Sequence, residues 1–375
     1  MFLESLQIFD FRNIAAAELE FGPGLNLIVG PNGQGKSNLL EAVGLLATGR
    51  SFRRAPPEAL RRHDRPCFRL DGRCQAGGLA HRLEFQGQAK RQMARLNGKP
   101  MTTASAMGQA LAAVIVTPES LALVRQGPQE RRAYMDWVIF SRRRDHAALV
   151  RHYRQAMKSR NLLLRAQTRN QAELAAWEDR LADLGGRISW ARRRMLERLG
   201  QGLIPYLQPL AVTGSLLESR LGSQLDRLDP QWQGAARAAE LYRTQLAVHR
   251  EQDRLSGTTT IGPHRDDLLF RLDGRPLARF GSQGQQKRLV LALKLAEADL
   301  LRETLGEAPL FLLDDPAAEL DREGTTLFMD LLAERGGQLF VTTCDAGEIP
   351  WPHGHRITFM VHAGTFKIQM ESNRS

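Results

Sequence analysis

Gly30-Pro31-Asn32-Gly33-Gln34-Gly35-Lys36-Ser37 is the stretch that decides how this 375-residue chain reads. It fits G-x-x-x-x-G-K-[ST] at every position. An apolar run, Leu25 to Val29, leads into it, and an apolar-periodic segment, Ser37 to Thr48, follows with Leu39, Leu40, Val43 and Leu46 expected on one helix face. Strand, glycine loop and helix in that order are the context of a phosphate-binding loop. The glycines let backbone N–H groups curl around phosphates, Lys36 would reach the β and γ phosphates, and the Ser37 hydroxyl is placed for Mg²⁺. The positive end of the helix adds to the attraction for anions. The site expected from Gly30 through Ser37 is therefore one for ATP.

Such a loop needs an acidic strand end elsewhere in the chain. Leu310-Phe311-Leu312-Leu313-Asp314-Asp315 supplies four apolar residues and then two carboxylates. Asp314 is expected to hold the Mg²⁺ shell. Asp315 stands where a general base or water-positioning carboxylate belongs.

Outward from these two motifs the chain changes texture. Leu3, Leu6 and Ile8 alternate as in an edge strand. Phe68 to Leu96 is strand-like, with turn signals at Asp71-Gly72, Gly77-Gly78 and Asn97-Gly98. Ala112 to Val116 is a further short strand. From about Gln129 to Gly200, Arg, Ala, Leu and Gln dominate, and Pro128 is placed to open a helix. A second helical piece runs from about Gln231 to Arg254, and strand-like sequence returns at Leu268–Arg271. The expected organisation is a head formed by residues 1–120 and 260–375, interrupted by a helical lobe over 121–259. A helix of ~25 residues is about 40 Å long, so the inserted block suits stubby arms and not a long coiled coil.

The net charge is +11 and the pI about 10.2. That balance suits an anionic partner such as nucleic acid. Only seven lysines are present, and an arginine-rich genome would raise the pI in the same way. Three cysteines, Cys67, Cys74 and Cys344, have no metal-ligand spacing and fit a reduced, cytoplasmic chain. No apolar run reaches the roughly 18 residues of a membrane span, so no membrane partner is expected.

Ser282-Gln283-Gly284-Gln285, ahead of an apolar helix from Leu289 to Leu301, resembles the L-S-G-G-Q signature of ABC-type ATPases. Glu319-Leu320-Asp321 resembles their D-loop, and the order of motifs is theirs as well. In that superfamily the signature of one subunit meets the γ-phosphate of the other, so Ser282, Gly284 and Gln285 would join the ATP site of a second copy. Thr260-Ile261-Gly262-Pro263-His264-Arg265-Asp266-Asp267-Leu268 resembles a hallmark of the bacterial RecF family. So do Gly49-Arg50-Ser51-Phe52-Arg53, Pro118-Glu119-Ser120-Leu121 with Gly127-Pro128 and Arg131-Arg132, and Ser282-Gln283-Gly284-Gln285-Gln286. These matches run from residue 30 to about 321.

The resemblance implies an α/β fold, an ABC-type P-loop ATPase head like that of SMC and Rad50 proteins: a mixed sheet core with an antiparallel β subdomain and an inserted all-helical lobe. It implies a weak, DNA-stimulated ATPase that forms an ATP-dependent homodimer on DNA. It further implies work with RecO and RecR proteins in recombinational and gap repair, and support of the SOS response. Asp315 stands where transporters carry a catalytic Glu, and its shorter reach suggests slow turnover. Thr117 to Glu119 is the expected Q-loop region. The role of His264-Arg265-Asp266 and the preferred DNA (duplex, single-strand gap or junction) stay open.

Basic residues cluster on the helical block at Arg131, Arg132, Arg142, Arg143, Arg144, Arg151, Arg154, Arg192, Arg193 and Arg194. With no aromatic-interleaved stacking platform in evidence, sequence-independent contact to the phosphate backbone is the expected mode. A transporter ATP-binding subunit would lack the helical insertion. A structural SMC-type protein would need hundreds of heptad residues.

Overall fold

A computed structural model describes residues 1–88, 91–101, 107–143, 145–167, 170–210, 212, 217–351 and 354–369 of the chain. Its first strands are β1 (Phe2–Phe11), β2 (Ile14–Glu20) and β3 (Leu25–Val29). The central ones are β4 (Cys67–Ala76), β5 (Leu79–Gln88), β6 (Arg91–Leu96), β7 (Lys99–Met101), β8 (Ala113–Val116) and β9 (Leu217–Gly222). β10 (Asp267–Leu272), β11 (Arg275–Pro276), β12 (Leu310–Asp314), β13 (Leu339–Thr343), β14 (Arg356–His362) and β15 (Thr365–Gln369) complete the set. The chain divides into two compact units. One is Met1–Ala122, Pro205–Val212 and Gln283–Ser375, and the other is Leu123–Ile204 and Thr213–Ser282.

The first unit holds two six-stranded sheets. One runs β15-β14-β3-β13-β12-β8, parallel except for β15. β3 and β13 are buried along their whole length, as mainly apolar strands of a covered parallel sheet are, and their polar members Asn26, Thr342 and Thr343 are hydrogen-bonded. The other sheet is antiparallel, β2-β1-β4-β5-β6-β7. The helix Lys36–Thr48 packs against both, so its residues from Leu39 to Thr48 are all buried and not only the expected face.

Three local expectations change here. β1 is no edge strand, because it pairs with both β2 and β4. Leu3 and Leu6 both face the core because a bulge between Leu3 and Ser5 resets the alternation. Asp71-Gly72 is no turn but lies inside β4. A Cβ on Gly72 would come within 2.8 Å of Leu46 Cδ1, so glycine there permits the close approach of helix to sheet. Gly77-Gly78 and Asn97-Gly98 do turn the chain, the latter with both residues at positive φ, 51° and 77°.

The second unit is mainly helical. Pro128 opens the helix Pro128–Arg142, followed by Asp145–Arg165 and the helix Gln171–Leu207. The last has 37 residues, longer than expected. The next piece breaks at His249 into Ala235–Val248 and Arg250–Ser256. Residues 260–282, expected with the head, belong to this unit. Their strand β10 pairs with β9 and β11 in a separate small sheet, and Arg131 grips the Asp267 carboxylate with two bonds of 2.7 and 2.8 Å.

The segment Gly262–Asp267 is a hub of this unit. Arg192 is buried and donates to Pro263 O (2.6 Å), to Asp266 Oδ2 (3.1 Å) and to both oxygens of Asp136 (3.0 and 2.9 Å). Asp136 is itself largely buried, which raises its pKa, but Arg192 and His146 outweigh burial and hold it down at about 2. His264 sits between the Tyr153 hydroxyl (Nδ1, 2.8 Å) and the Thr259 carbonyl (Nε2, 3.0 Å). A neutral ring protonated on Nε2 satisfies both partners. Burial, with Arg265 and Arg132 nearby, lowers the His264 pKa to about 4.

The folded chain thus refuses a proton on His264 that the unfolded chain accepts below an ordinary pKa near 6.5. Stability from this group is complete above pH 6.5 and is lost as the pH falls toward 4. Between pH 7 and 5 the loss is on the order of 2 kcal/mol. Urea unfolding of the unaltered chain and of His264→Asn at both pH values checks this: the variant should lose less stability by about that amount. Equal losses would remove His264 as the cause.

Candidate functional site

The phosphate loop is shaped by its glycines and held by distant segments of the first unit. Gly33 and Gly35 have φ of 79° and 116°, which side-chain-bearing residues rarely adopt. A Cβ on Gly35 would also stand 2.9 Å from Asn13 Oδ1. Asn13 donates to Gln34 O at 3.1 Å and accepts from Asn38 Nδ2 at 2.8 Å. Gln34 is held a second time, by Gly364 N on its carbonyl and Ala363 N on its side chain, at 2.8 and 2.6 Å. The helix begins at Lys36 with Gly35 as its cap and no side-chain cap bond, which suits N–H groups presented to an anion.

Lys36 is buried, and its ammonium donates to Gly30 O (2.6 Å), Pro31 O (3.2 Å) and Asn32 Oδ1 (3.4 Å). The chain therefore folds over its own lysine and presents one fixed positive charge at the loop. Asn32, Gly33, Gly35, Lys36 and Ser37 line a cavity of about 160 Å³ that Arg53, Asp315 and Thr342 complete.

The acidic strand end arrives on the same side. Thr342, at the end of β13, donates from Oγ1 to Asp314 Oδ1 at 2.9 Å and accepts from Asp315 N at 2.9 Å. One hydroxyl thus orients both members of the pair. The other Asp314 oxygen faces Arg53 at 3.6 Å. Asp315 lies at φ 49°, ψ 57°, an uncommon conformation for a residue with a side chain. Burial raises the Asp315 pKa, Lys36 opposes it, and Asp314 and Glu348 add to the rise. A carboxylate moved toward neutrality is a better proton acceptor at neutral pH. The donor set fits a triphosphate and a hard divalent cation: loop amides and one ammonium for phosphate, a hydroxyl and a carboxylate for Mg²⁺.

Sequence reasoning left several parts of this site without a role. Arg53 spans Asn38 Oδ1 (3.1 Å) and Asp314 and lines the cavity. Glu41 has no exposed side-chain surface and accepts two 2.9 Å bonds from Arg12 and one from Ser51. The repeated arginines of Gly49–Arg53 were a visible signal. Asn13 gave none, because its partners are distant in the chain.

The signature region is placed differently. Gly284 and Gln285 begin the helix Gln283–Leu305 and do not line the cavity, and Ser282 directly precedes that helix. The helix is tied to the expected D-loop: Lys287 donates to Glu319 O at 2.6 Å and pairs with its carboxylate at 2.8 Å, and Arg288 pairs with Asp321 at 3.1 Å. Thr117–Glu119 opens the short helix Pro118–Leu121 through a reciprocal cap between Thr117 and Ser120.

In the second unit the arginine cluster separates into two groups. Arg131, Arg132 and Arg192 bind Asp267, the Asp266 carbonyl and Asp136 with Asp266, and so hold the fold. Arg143, Arg151, Arg154 and Arg194 are exposed, and Arg193 is half-buried. Arg142 ends the helix Pro128–Arg142, and Arg144 lies outside the described residues. No described helix is long and apolar enough to cross a membrane.

Residues 5–106 match a family model described as an AAA domain. A DNA replication and repair protein RecF of Magnetococcus marinus is 54% identical over 99% of this chain and 98% of its own. One of Geobacter metallireducens is 34% identical over 93% and 94%. Among solved structures, one of the recombination mediator protein RecF with ATP in the RecFOR pathway superposes with a TM-score of 0.87 at 28% identity, covering 98% of both chains. An Smc head bound to the C-winged helix domain of ScpA, at 16% identity over 100% of this chain and 98% of its own, gives 0.54 and a likeness of fold. The expected class, an ABC-type P-loop head with an inserted helical lobe, is the fold this chain has.

The buried ammonium yields a direct test. Lys36→Met keeps the length of the side chain and removes its charge. Isothermal titration should show the loss of most ATP affinity, on the order of a hundredfold or more, with circular dichroism unchanged. Unaltered affinity in the folded variant would displace Lys36 from the phosphate site.

Proposed function

This chain belongs to the RecF family of DNA replication and repair proteins, and on that premise we propose that it is an ATP-operated switch that dimerises on DNA. The observation that carries the reading is the convergence of the Gly30–Ser37 loop, Asp315 and Thr342 on one cavity, with Asp314 held beside it by the Thr342 hydroxyl. Gly30, Pro31, Asn32, Gly33, Gln34 and Gly35 form the cradle for the phosphates, and Lys36 neutralises their charge. Ser37 and Asp314 would hold Mg²⁺, which supplies charge neutralisation of the phosphate chain when bound. Asp315 orients the attacking water, and its short side chain accords with slow hydrolysis that DNA stimulates.

Head-to-tail pairing accounts for the separate placement of the signature. Gly284 and Gln285 do not line the cavity of their own chain, and two chains related by a two-fold axis would bring Ser282, Gly284 and Gln285 of each to the nucleotide of the other. ATP that is bound better by the dimer shifts the equilibrium toward it, and DNA that prefers the dimer must raise ATP affinity by the same factor. The Lys287–Glu319 and Arg288–Asp321 contacts tie the signature helix to the segment after Asp315, so docking and hydrolysis share one rigid part. In the cell this switch would act in the cytoplasm with RecO and RecR proteins, helping recombinase to load at single-strand gaps and supporting the SOS response. A solved structure of the RecF protein of the RecFOR pathway with ATP supports the reading.

Sedimentation with and without ATP tests the cycle. The unaltered chain and Asp315→Asn should dimerise with ATP, the variant persistently, and Ser282→Arg should bind ATP yet stay monomeric. A Ser282→Arg protein that dimerises normally would sink the head-to-tail arrangement. Duplex affinity should fall with salt at a log–log slope of about −0.9 per phosphate neutralised. A flat response with strong preference for one base sequence would contradict backbone contact.

A further inference from the structure

On the helix Gln171–Leu207, Arg187, Trp190, Arg194 and Arg198 follow one another at spacings of three, four and four residues. Those spacings place all four on one face, over a length of roughly 16 Å. Trp190 divides two concavities of the helical unit. One, of about 370 Å³, has Arg194, Arg198 and Gln201 in its wall, and the other, of about 180 Å³, has Arg187 and Arg143. Trp190 lines both.

The indole is held from behind. The buried Trp232 meets it edge-on with ring centroids 6.1 Å apart. Trp232 is itself fixed by a 2.9 Å bond from Nε1 to Asp226 and by Arg193, which stacks on it at 4.6 Å and donates to its carbonyl at 2.9 Å. The Arg194 guanidinium lies over the Trp190 ring, 5.7 Å from its centroid. Among the described residues neither Arg194 nor Arg198 has a hydrogen-bonded or ion-paired partner, and Arg187 has only Asp183 at 4.0 Å. Glu197, the one acid on the larger concavity, lies 3.7 Å from Arg193. Exposed guanidinium groups, two of them (Arg194 and Arg198) without a hydrogen bond or ion pair among the described residues, beside a braced indole match the two needs of an unpaired nucleic-acid strand, charge for phosphate and a flat apolar face for a base.

We propose that this face is a contact site for single-stranded nucleic acid, with phosphates against Arg187, Arg194 and Arg198 and one base laid on Trp190. The proposal deepens the DNA-binding part of the functional reading and rests on it. A duplex buries its base faces in its own stack and could use the arginines alone. Because every base has a π face, the site discriminates strandedness and not sequence.

Fluorescence anisotropy with the full chain tests this, using oligothymidylate, an abasic oligonucleotide of equal length and a duplex. Trp190→Leu should weaken oligothymidylate binding on the order of tenfold, leave the abasic strand unaffected, and be rescued by Trp190→Phe. Arg194→Gln with Arg198→Gln should reduce the single-strand salt slope by about 1.4, at roughly 0.7 per phosphate contact. Unaltered ATP affinity marks each variant as folded, and should Trp190→Leu fail that check, the arginine pair decides alone. If all variants bind oligothymidylate like the unaltered chain, the site is overturned while DNA binding elsewhere on the protein stands. Variants that lose polyglutamate but keep oligothymidylate would make the face a site for acidic polypeptide and overturn it too. If the unaltered chain binds none of the three nucleic acids, the DNA part of the functional reading falls with it.

Discussion

A carboxylate with no exposed surface lies in the middle of the helix that the phosphate loop opens. Glu41 is fully buried on the helix that packs against both sheets of the first unit, and a buried charge is tolerated only with close, well-made partners. Arg12 supplies two of them from the turn between β1 and β2, and Ser51 a third from the segment after the helix. Arg53 reaches to 4.0 Å and then on to Asn38 and Asp314. Desolvation thus obliges two separate segments to meet at one helix, and the phosphate loop is built at the end of that helix. The placement of Asn13, next to Arg12 and in contact with Gln34 and Asn38, follows from it.

The helical unit follows the same rule with its charges reversed. Arg192 and Arg160 are buried, and each is held by carboxylates from distant segments: Asp136 and Asp266, with the Pro263 carbonyl, for one, and Glu178 and Asp253, with the Thr259 hydroxyl, for the other. Such networks add little net stability over apolar packing, but removing one partner leaves a buried charge unpaired at a cost of about 3–5 kcal/mol. They therefore fix which segments meet. Gly262 takes φ 143°, and a Cβ there would stand 2.2 Å from the Tyr153 hydroxyl. The run from Gly262 to Asp267 reads in this light as the point where the strand β10 is locked to the helices. An arginine count for nucleic-acid contact has to exclude the arginines this lock consumes.

Much of the candidate site was legible along the chain because its parts are local. The loop from Gly30 to Ser37, its flanking strand and helix, and the acidic end of β12 are contiguous segments whose residue types follow from backbone geometry and charge. Pro128 at the first turn of its helix and the Asn97-Gly98 turn are legible for the same reason. Other features were hidden. Gly72 reads as a turn until Leu46 is seen beside it. Leu3, Leu6 and Ile8 read as simple alternation, and only the bulge between Leu3 and Ser5 brings the first two to one face. The Trp190 stripe was present as a spacing of three and four, but one aromatic among many arginines is not distinguished from a solvated helix face until its neighbours are known.

The sequence by itself determined the phosphate loop, the paired carboxylates, the α/β character of the head and the presence of a helical insertion, because hydrophobic period, glycine placement and charge act over a few residues. Only the tertiary structure decided that one threonine on β13 orients both Asp314 and Asp315, and that Arg53 closes the cavity. Only it separated the buried arginines, which hold Gly262–Asp267, from the exposed ones. The reason is physical. Burial of a charge depends on what surrounds it in space, and the partners that make burial tolerable come from segments whose separation along the chain gives no local sign of their meeting.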